Sequence, residues 1–431
     1  MKVGLISKYG DSLGDLGFRM GLDGHKVSLY IDDPKMRENF EGILPKAKTW
    51  QDCVRGADLI VFDDNKMSHV WEVCHKSIPC FGGSTFAKKL EDDRDFGKEI
   101  MENAGIETHE RKEFKTFPQV ISHLREHKVP HAIKPQGSKV ESHHIIIGKD
   151  ADNSDTIGQI ERHMDMGLQV DKIEVEETKF GTEVGLSFFF NGLEKVGPIE
   201  INFEHKRSHE GEEGYLTGEM GTLMRYLEDE ELPLYQDTLE KIIPTLRAAD
   251  YRGQIDITAM VGNDEAGPFV APLEFTPRLG KPAIFLSDEL HITPWAELFY
   301  ACASGKPLEL RVRYDWCVGV MLCAFGFPFD DKVAKISKGL EIKGLDENSL
   351  DHIHMLQVSM KKGKFLVGEG NGWFLCSTGR GDTVVKAKGE AYNHLDKIKV
   401  PNSFKRKDIS DKISPHELDR LKIMPLEESL A

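Results

Sequence analysis

Two stretches constrain this chain more than any others. GQIDITAMV, from Gly253 to Val261, and PLEFTPRLGKP, from Pro272 to Pro282, are apolar strand-like runs, each interrupted by a single carboxylate, Asp256 and Glu274. A charge buried alone in an apolar strand is expensive, so each acid needs a partner or a bound cation. Two adjacent strands that each contribute one inward acid make a common holder for a divalent metal ion. Alternate side chains of an extended run share a face, so Glu274, Thr276 and Arg278 are expected to point into one cavity, and Gly280, Lys281 and Pro282 end the strand. The plainer alternative is a salt bridge between Glu274 and Arg278 on a sheet face.

Around this pair the pattern alternates. KVGLIS (2 to 7), HKVSLYI (25 to 31) and DLIVFDD (58 to 64) are short apolar runs separated by polar helical stretches, the βαβ pattern of a small parallel sheet. One helix is expected from Thr85 to Ala104, stopped by Gly105. VPHAIKPQG and HHIIIGKD read as a hairpin turned by SKVES, and a polar helix follows near 154 to 166. KIEVEETKFGTEVGLSFFFNG reads as two strands around a turn at Gly181, with Phe188, Phe189 and Phe190 in the core. A strand-rich region from Val196 to Val270 carries one amphipathic helix near 234 to 249, and the part from about Arg311 mixes strands with one helix before a charged tail.

Composition narrows the class. A chain of 431 residues is too long for one core and suits about two to four domains. With 39% hydrophobic and 30% charged residues it reads as a globular protein. A net charge of -16 argues against a general nucleic-acid binder, which needs clustered Lys and Arg. No run approaches the roughly 18 consecutive apolar residues of a membrane span, and MKVGLISKYG lacks the zones of a signal peptide. The seven cysteines, with no CxxC pair, read as reduced thiols and small core residues of a cytoplasmic protein rather than a zinc site. His143 and His144 read as loop residues.

Two further places could handle a nucleotide. Lys134 ends the apolar run HAIK just before Pro135 and Gly137, where its ammonium can reach phosphate oxygens or simply be solvated. EVEETKFGTE sets Glu176 and Glu183 about a bend after an apolar strand, as where an adenine slips between two sheets and a carboxylate catches the ribose hydroxyls; an exposed acidic hairpin is the alternative.

The order Arg94, Lys134, Glu176 with Glu183, Asp256, then Glu274 is similar to that of an ATP-grasp ligase, and the chain resembles the phosphoribosylamine–glycine ligase family over most of its length. GGSTFAKKLEDDRDFGKEIM, IKPQG, EETKFGTEVG and EHKRSHEGEEGYLTGEMG carry the match, the last being the least open to a simple packing explanation. SKGLEIKGL, GEAYNHLDKI and FKRKDIS extend it towards the C-terminus, through Ala391, Tyr392, Arg406, Asp408 and Ile409.

The resemblance implies an α/β and α+β chain with the ATP-grasp fold: an N-terminal βαβ domain (1–88), a central domain (89–112 and 178–310), a lid (113–177) and a strand-rich C-terminal domain (311–431). It implies ATP with Mg2+ or Mn2+. Nucleotide contacts would fall to Arg94, Lys134, Lys139, Glu176, Glu177 and Glu183, and metal contacts to Asp256, Glu274 and Thr276. Arg278, Lys206 and Arg207 would serve catalysis, and Glu212, Thr217, Gly218 and Arg278 the substrate. The expected partners are ATP, glycine or a similar carboxylate, and an amine, with no nucleic acid or membrane, in a cytoplasmic monomer or homodimer.

There are departures. Thr276 stands where the family has asparagine, Lys281 where it has aspartate, and Asp256 where it usually has an aromatic. SKVESHH replaces a glycine-rich triphosphate loop; Leu216 and Glu219 replace an asparagine and a glycine beside Thr217. KYGDSLGDLG (8 to 17) and DDNKMSH (63 to 69) stand in place of the segments that bind phosphoribosylamine, the first lacking a Gly-Gly-Arg-Glu-His run. Three outcomes stay open: a ligase for glycine and an amine such as phosphoribosylamine, an ATP-grasp ligase with other substrates such as a modified nucleotide, or a nucleotide-binding protein without turnover.

Overall fold

The computed structural model describes every residue except 109, 138, 139, 141–143, 228–231, 265, 266, 329, 330, 415, 416, 419, 420 and 422–431. The three N-terminal apolar runs become parallel strands. β1 (Lys2–Ser7) lies between β2 (Lys26–Ile31) and β3 (Leu59–Phe62), and β4 (Cys80–Phe81) adds to β3, giving the order β2-β1-β3-β4. Val3, Leu5 and Val61 share a core with Leu13, Leu16 and Met20 of α1 (Asp11–Leu22). Ile6, Ile60 and Phe62 pack with Cys53 of α2 (Trp50–Val54) and Val70 of α3 (Ser68–Cys74). Helices on both sides explain why these strands are apolar on both faces.

The single helix expected over Thr85 to Ala104 is two, α4 (Thr85–Asp92) and α5 (Arg94–Asn103). Asp93 breaks the run with extended dihedrals and accepts a hydrogen bond from the Phe96 amide at 3.0 Å. An aspartate that can cap a new helix competes with its own place in the old one.

β5 (Arg111–Phe114), β6 (His131–Gln136), β7 (Ile146–Ile147) and β8 (Lys172–Glu177) form a separate sheet in the order β5-β8-β6-β7. Ile133, Ile146, Ile173 and Val175 pack on Phe117, Val120 and Leu124 of α6 (Phe117–Glu126) and Ile160 of α7 (Ser154–Asp165). The expected hairpin is there, with Ala132 opposite Ile147 and Ile133 opposite Ile146, although most of its SKVES turn lies outside the described residues. The strands on either side of Gly181 do not pair with each other. β8 stays in this sheet and β9 (Thr182–Asn191) enters a larger one. A Cβ at Gly181 would sit 2.3 Å from the Val261 carbonyl, so only glycine lets the link pass that close.

The larger sheet has nine strands. Its members up to residue 276 are β9, β10 (Lys195–Glu204), β13 (Gly221–Leu227), β14 (Arg252–Asp264) and β15 (Gly267–Thr276). Between β10 and β13 a short ribbon, β11 (Arg207–His209) with β12 (Glu213–Leu216), stands off the sheet. Two helices, α8 (Pro233–Asp237) and α9 (Leu239–Ala248), replace the one expected near 234 to 249, with Thr238 at non-helical dihedrals between them. Phe188, Phe189 and Phe190 are all buried, as a strand covered on both faces requires.

α10 (Ala283–Leu290) and α11 (Trp295–Ser304) follow β15. β16 (Trp316–Ala324) then pairs with β13 and carries the order on through β20 (Trp373–Gly381) to β17 (Ile353–Met355), with β21 (Ser403–Phe404) also on β16. The boundary expected near residue 310 therefore falls within one continuous sheet: Gly221 to Met224 bond to Val320 to Cys317, so the C-terminal strands share the central core. α12 (Asp331–Ser337), the β18 (Val358–Lys361) and β19 (Lys364–Val367) pair, and α13 (Val384–Asp396) are the remaining named elements, giving two named helices among the described residues of this part where one was expected. All seven cysteines are buried free thiols.

Candidate active site

Register builds the site. Asp256 lies opposite Thr276 on one neighbour and Ser187 on the other; Thr258 lies opposite Glu274 and Gly185. Ser187 and Gly185 in turn face Glu200 and Asn202 of β10. One face of four adjacent strands thus carries Glu274, Thr276, Asp256, Thr258, Glu200 and Asn202, and Glu204 follows two residues on. Gly185 is needed in the middle: a Cβ there would lie 2.4 Å from Asn202 Oδ1. The space lets Asn202 lie across the sheet and donate to Asp256 Oδ2 at 3.2 Å.

Above this face is a cavity of about 110 Å³ whose lining includes these side chains with Lys206, Gly218, Glu219, Gln254, Arg278 and Lys281. Lys206 Nζ bridges Glu183 at 2.6 Å and Glu204 at 2.9 Å. Arg278 lies two residues beyond the end of β15, after Pro277, and its Nε donates to Glu91 of α4 at 2.8 Å. It lines the same cavity as Glu274 but has its own acid, so the Glu274–Arg278 salt bridge is not what holds it.

The acids outnumber the cations. Burial, then Glu204 and Glu200, push Asp256 well above the usual carboxylate range. Burial and Glu204 do the same to Glu219, and burial raises Glu200 from 4.5 to about 7. Lys206 behaves oppositely: burial opposes its charge, but Glu204, Glu183 and Glu274 hold it well above the ordinary lysine value. Three buried oxygens here have no hydrogen-bond partner: Asn202 Oδ1, Glu219 Oε1 and Gln254 Oε1. Surplus negative charge and unpartnered oxygen donors fit a hard divalent cation such as Mg2+, with Asp256 and Glu274 as its anionic holders and Thr276 beside them. Bound there, the metal would bridge and neutralise phosphate oxygens.

The sequence-predicted residues divide. Asp256, Glu274, Thr276, Lys206, Gly218 and Arg278 meet at the cavity. Thr217 is next to Gly218 and its hydroxyl donates to the Lys206 carbonyl at 2.8 Å. Lys134 pairs with Glu176 at 2.5 Å on the smaller sheet, whereas Glu183 is the second residue of β9, so the link from 178 to 181 carries the chain from one group to the other. Glu177 pairs with Lys179 at 3.6 Å, and Arg94 is held by Glu174 at 3.2 Å. Lys139 lies outside the described residues.

Arg207 and Glu212 are not brought to the cavity. Arg207 donates to the Gly214 carbonyl at 2.8 Å, while Glu212 pairs with Arg406 at 2.7 Å and Lys412 at 3.4 Å, an arrangement that ties the ribbon to the C-terminal segment. The sequence reading missed Glu200, Asn202, Glu204 and Gln254. The signal was present in IEINFEHK, where polar residues at 200, 202, 204 and 206 alternate with apolar ones.

A parallel N-terminal sheet, a small lid-like sheet and a large antiparallel sheet with an acid-lined cavity define an ATP-grasp enzyme. The family model described as "Phosphoribosylglycinamide synthetase, ATP-grasp (A) domain" matches residues 92–284. Phosphoribosylamine–glycine ligase of Caldanaerobacter subterraneus is 26% identical over 340 residues, covering 77% of this chain and 79% of that protein. The enzyme of the same name from Neisseria meningitidis is 28% identical over 354 residues, covering 78% and 79%. The crystal structure of phosphoribosylamine–glycine ligase from Thermotoga maritima superposes with a TM-score of 0.69 at 22% identity, covering 95% of this chain and 100% of that one. Within its class the chain is an ATP-grasp carbon–nitrogen ligase, similar to the phosphoribosylamine–glycine ligases over about three quarters of its length and divergent from them in sequence.

Proposed function

We propose that the protein activates glycine, or a similar small carboxylate, as an acyl phosphate and joins it to an amine such as phosphoribosylamine, releasing ADP and phosphate. The observation that carries this reading is the oxygen-lined, acid-rich cavity bounded by Lys206 and Arg278. Transfer of a phosphoryl group needs little covalent help and much positioning and charge compensation. Asp256 and Glu274 hold the metal, with Thr276 as a hydroxyl neighbour. Arg278, whose charge persists although burial opposes it, has Nε on Glu91 and Nη1 on the Leu279 carbonyl, and Nη2 is the nitrogen left to grip the acceptor carboxylate or the moving phosphoryl group. Lys206 steadies developing negative charge. Lys134, Glu176 and Glu183 serve the nucleotide, with Arg94 and Glu177 further out.

The step sequence balances simply. A carboxylate oxygen takes the γ-phosphoryl group as the bond to ADP breaks; the neutral amine nitrogen then bonds to the acyl carbon as phosphate leaves and the nitrogen gives up one proton, to the departing phosphate or to solvent. No helix among the described residues is long and apolar enough to cross a membrane. The reading takes the protein to be a cytoplasmic monomer or homodimer acting on small molecules, not on nucleic acid.

The test replaces the amine with hydroxylamine, which intercepts acyl phosphates. ADP release and hydroxamate formation that need ATP, a magnesium salt and glycine or another small carboxylate are the expected result. ADP release that no small carboxylate stimulates would overturn the reading.

A further inference from the structure

Glu219 lines the catalytic cavity and has no part in the scheme above. The family carries a glycine at this position, so the carboxyl is a feature of this chain. The backbone that bears it is tied down on both sides. Thr217 and Met220 donate their amides to the Lys206 and His205 carbonyls, each at 2.8 Å, and Met220 buries its side chain in the core. Gly218 passes against Trp373, where a Cβ would lie 2.7 Å from the ring. Its neighbours thus set Glu219 on the cavity wall, where it is 3% exposed.

The chain does not answer this acid. Glu219 Oε1 has no hydrogen-bond partner. The two lysines that ease its ionisation are engaged elsewhere: Lys206 with Glu183 and Glu204, and Lys412 with the Glu204 carbonyl and Glu212. A buried carboxylate oxygen left unpartnered costs free energy that a ligand's donor recovers. The magnesium ion is not that donor. Among the described residues, the three acids whose ligand atoms come within 4.8 Å of one another are Asp95, Glu113 and Glu174, so Glu219 does not join Asp256 and Glu274 in a three-carboxylate holder.

The far end of the cavity has the opposite sign. In the strand order β15-β14-β9-β10-β13, four steps separate β15, which leads into Arg278, from β13, which Glu219 precedes by two residues. At about 4.8 Å per step the two strands stand roughly 19 Å apart, and both side chains line the space between them. Arg278 has Nη2 left over after Glu91 and the Leu279 carbonyl take Nε and Nη1. An unused guanidinium nitrogen at one end and an unused carboxylate oxygen at the other suit a ligand that is negative at one end and positive at the other. A hydroxyl could also donate to Oε1, but it would leave the buried charge uncompensated, whereas an ammonium supplies both the donor and the charge.

We propose that Glu219 is a specificity-determining residue of the carboxylate subsite: it takes the ammonium of an amino-acid substrate whose carboxylate lies towards Arg278. The enzyme then activates amino acids and rejects carboxylates of the same length that lack the charged amine. The proposal rests on the ligase reading above and narrows it from small carboxylates to zwitterions.

The experiment is the hydroxylamine assay on the full chain with ATP and magnesium, run on pairs of equal length: glycine with glycolate, β-alanine with 3-hydroxypropionate, and γ-aminobutyrate with 4-hydroxybutyrate. At least one amino acid should exceed its hydroxy counterpart in kcat/KM by about 100-fold or more. Glu219→Gln, which removes the charge and little else, should narrow that ratio about tenfold or more, mainly through a higher KM for the amino acid. Glu219→Asp, which retains the charge, should retain more of the preference. A hydroxy acid used as well as its amino counterpart by the unaltered enzyme would overturn the proposal, and that comparison needs no variant to fold. Equal losses for both members of a pair in Glu219→Gln would overturn it too, because the acid would then be structural. Either result leaves the ligase reading standing, whereas ADP release that none of the six carboxylates stimulates would remove that reading and this proposal together.

Discussion

Glu200 offers a quantitative check on the charge surplus. Its carboxyl is buried under α10, accepting from Ser287 Oγ at 3.0 Å and Gln254 Nε2 at 3.3 Å, and burial lifts it from 4.5 to about 7. A carboxyl whose folded value exceeds its unfolded value binds its proton more tightly in the native state. The contribution of Glu200 to stability is therefore fully present below pH 4.5, falls as pH rises towards 7, and is lost above that. The interval from 4.5 to about 7, at about 1.4 kcal/mol per pH unit, amounts to roughly 3 kcal/mol. Glu200→Gln keeps the shape and one acceptor oxygen but cannot ionise. The variant should lead by less than about 1 kcal/mol near pH 5 and gain steadily until it leads by up to about 3 kcal/mol near pH 8. Adding magnesium with an ATP analogue should narrow the gap, because a bound cation supplies what the extra acid lacks. A variant less stable than the parent by the same amount at every pH would refute the reasoning, since the acid would then be acting as a packed hydrogen-bond partner only.

Three further outcomes follow from the same geometry. Glu274→Gln should lower magnesium-dependent phosphate release about 100-fold or more, the scale of losing one preorganised charge partner, and unchanged release would remove Glu274 from the metal site. Lys134→Ala should raise KM for ATP about tenfold, near 1.4 kcal/mol, with little change in kcat; a loss confined to kcat would assign it to the chemical step. Gly185→Ala places a methyl where Asn202 now lies, displacing the amide from Asp256. It should raise the magnesium concentration needed for half-maximal turnover about tenfold or more, a shift read directly from a magnesium titration.

Much of this was legible in the chain because the signals were local. The parallel strands at residues 2 to 7, 25 to 31 and 58 to 64 are apolar runs with nothing else to become, and the Asp256 and Glu274 pair was visible as two acids misplaced in strands. What sequence could not give was decided by competition between near-equal local states. Asp93 and Thr238 each break a helix that periodicity alone would run through, because a capping side chain or a non-helical dihedral there outweighs propensity. Gly181 looked like a hairpin turn, yet it is a crossing between sheets, and only the close approach of the Val261 carbonyl shows why glycine is there.

The site was half legible for a related reason. Glu200, Asn202 and Glu204 each look unremarkable beside apolar neighbours, and their meaning appears only when register sets them on the face that Asp256 and Glu274 already occupy. The same register explains why Arg207 and Glu212, close to Lys206 in sequence, lie elsewhere: after Lys206 the chain leaves the sheet for the β11–β12 ribbon, and alternation stops predicting orientation. Charge balance then works as a test that sequence cannot apply. A stable fold would not gather Glu200, Glu204, Glu219 and Asp256 around one lysine for packing alone, because each buried acid without a partner costs free energy. The surplus persists because the bound state supplies positive charge, and the Glu200 titration would detect that dependence without relying on catalysis.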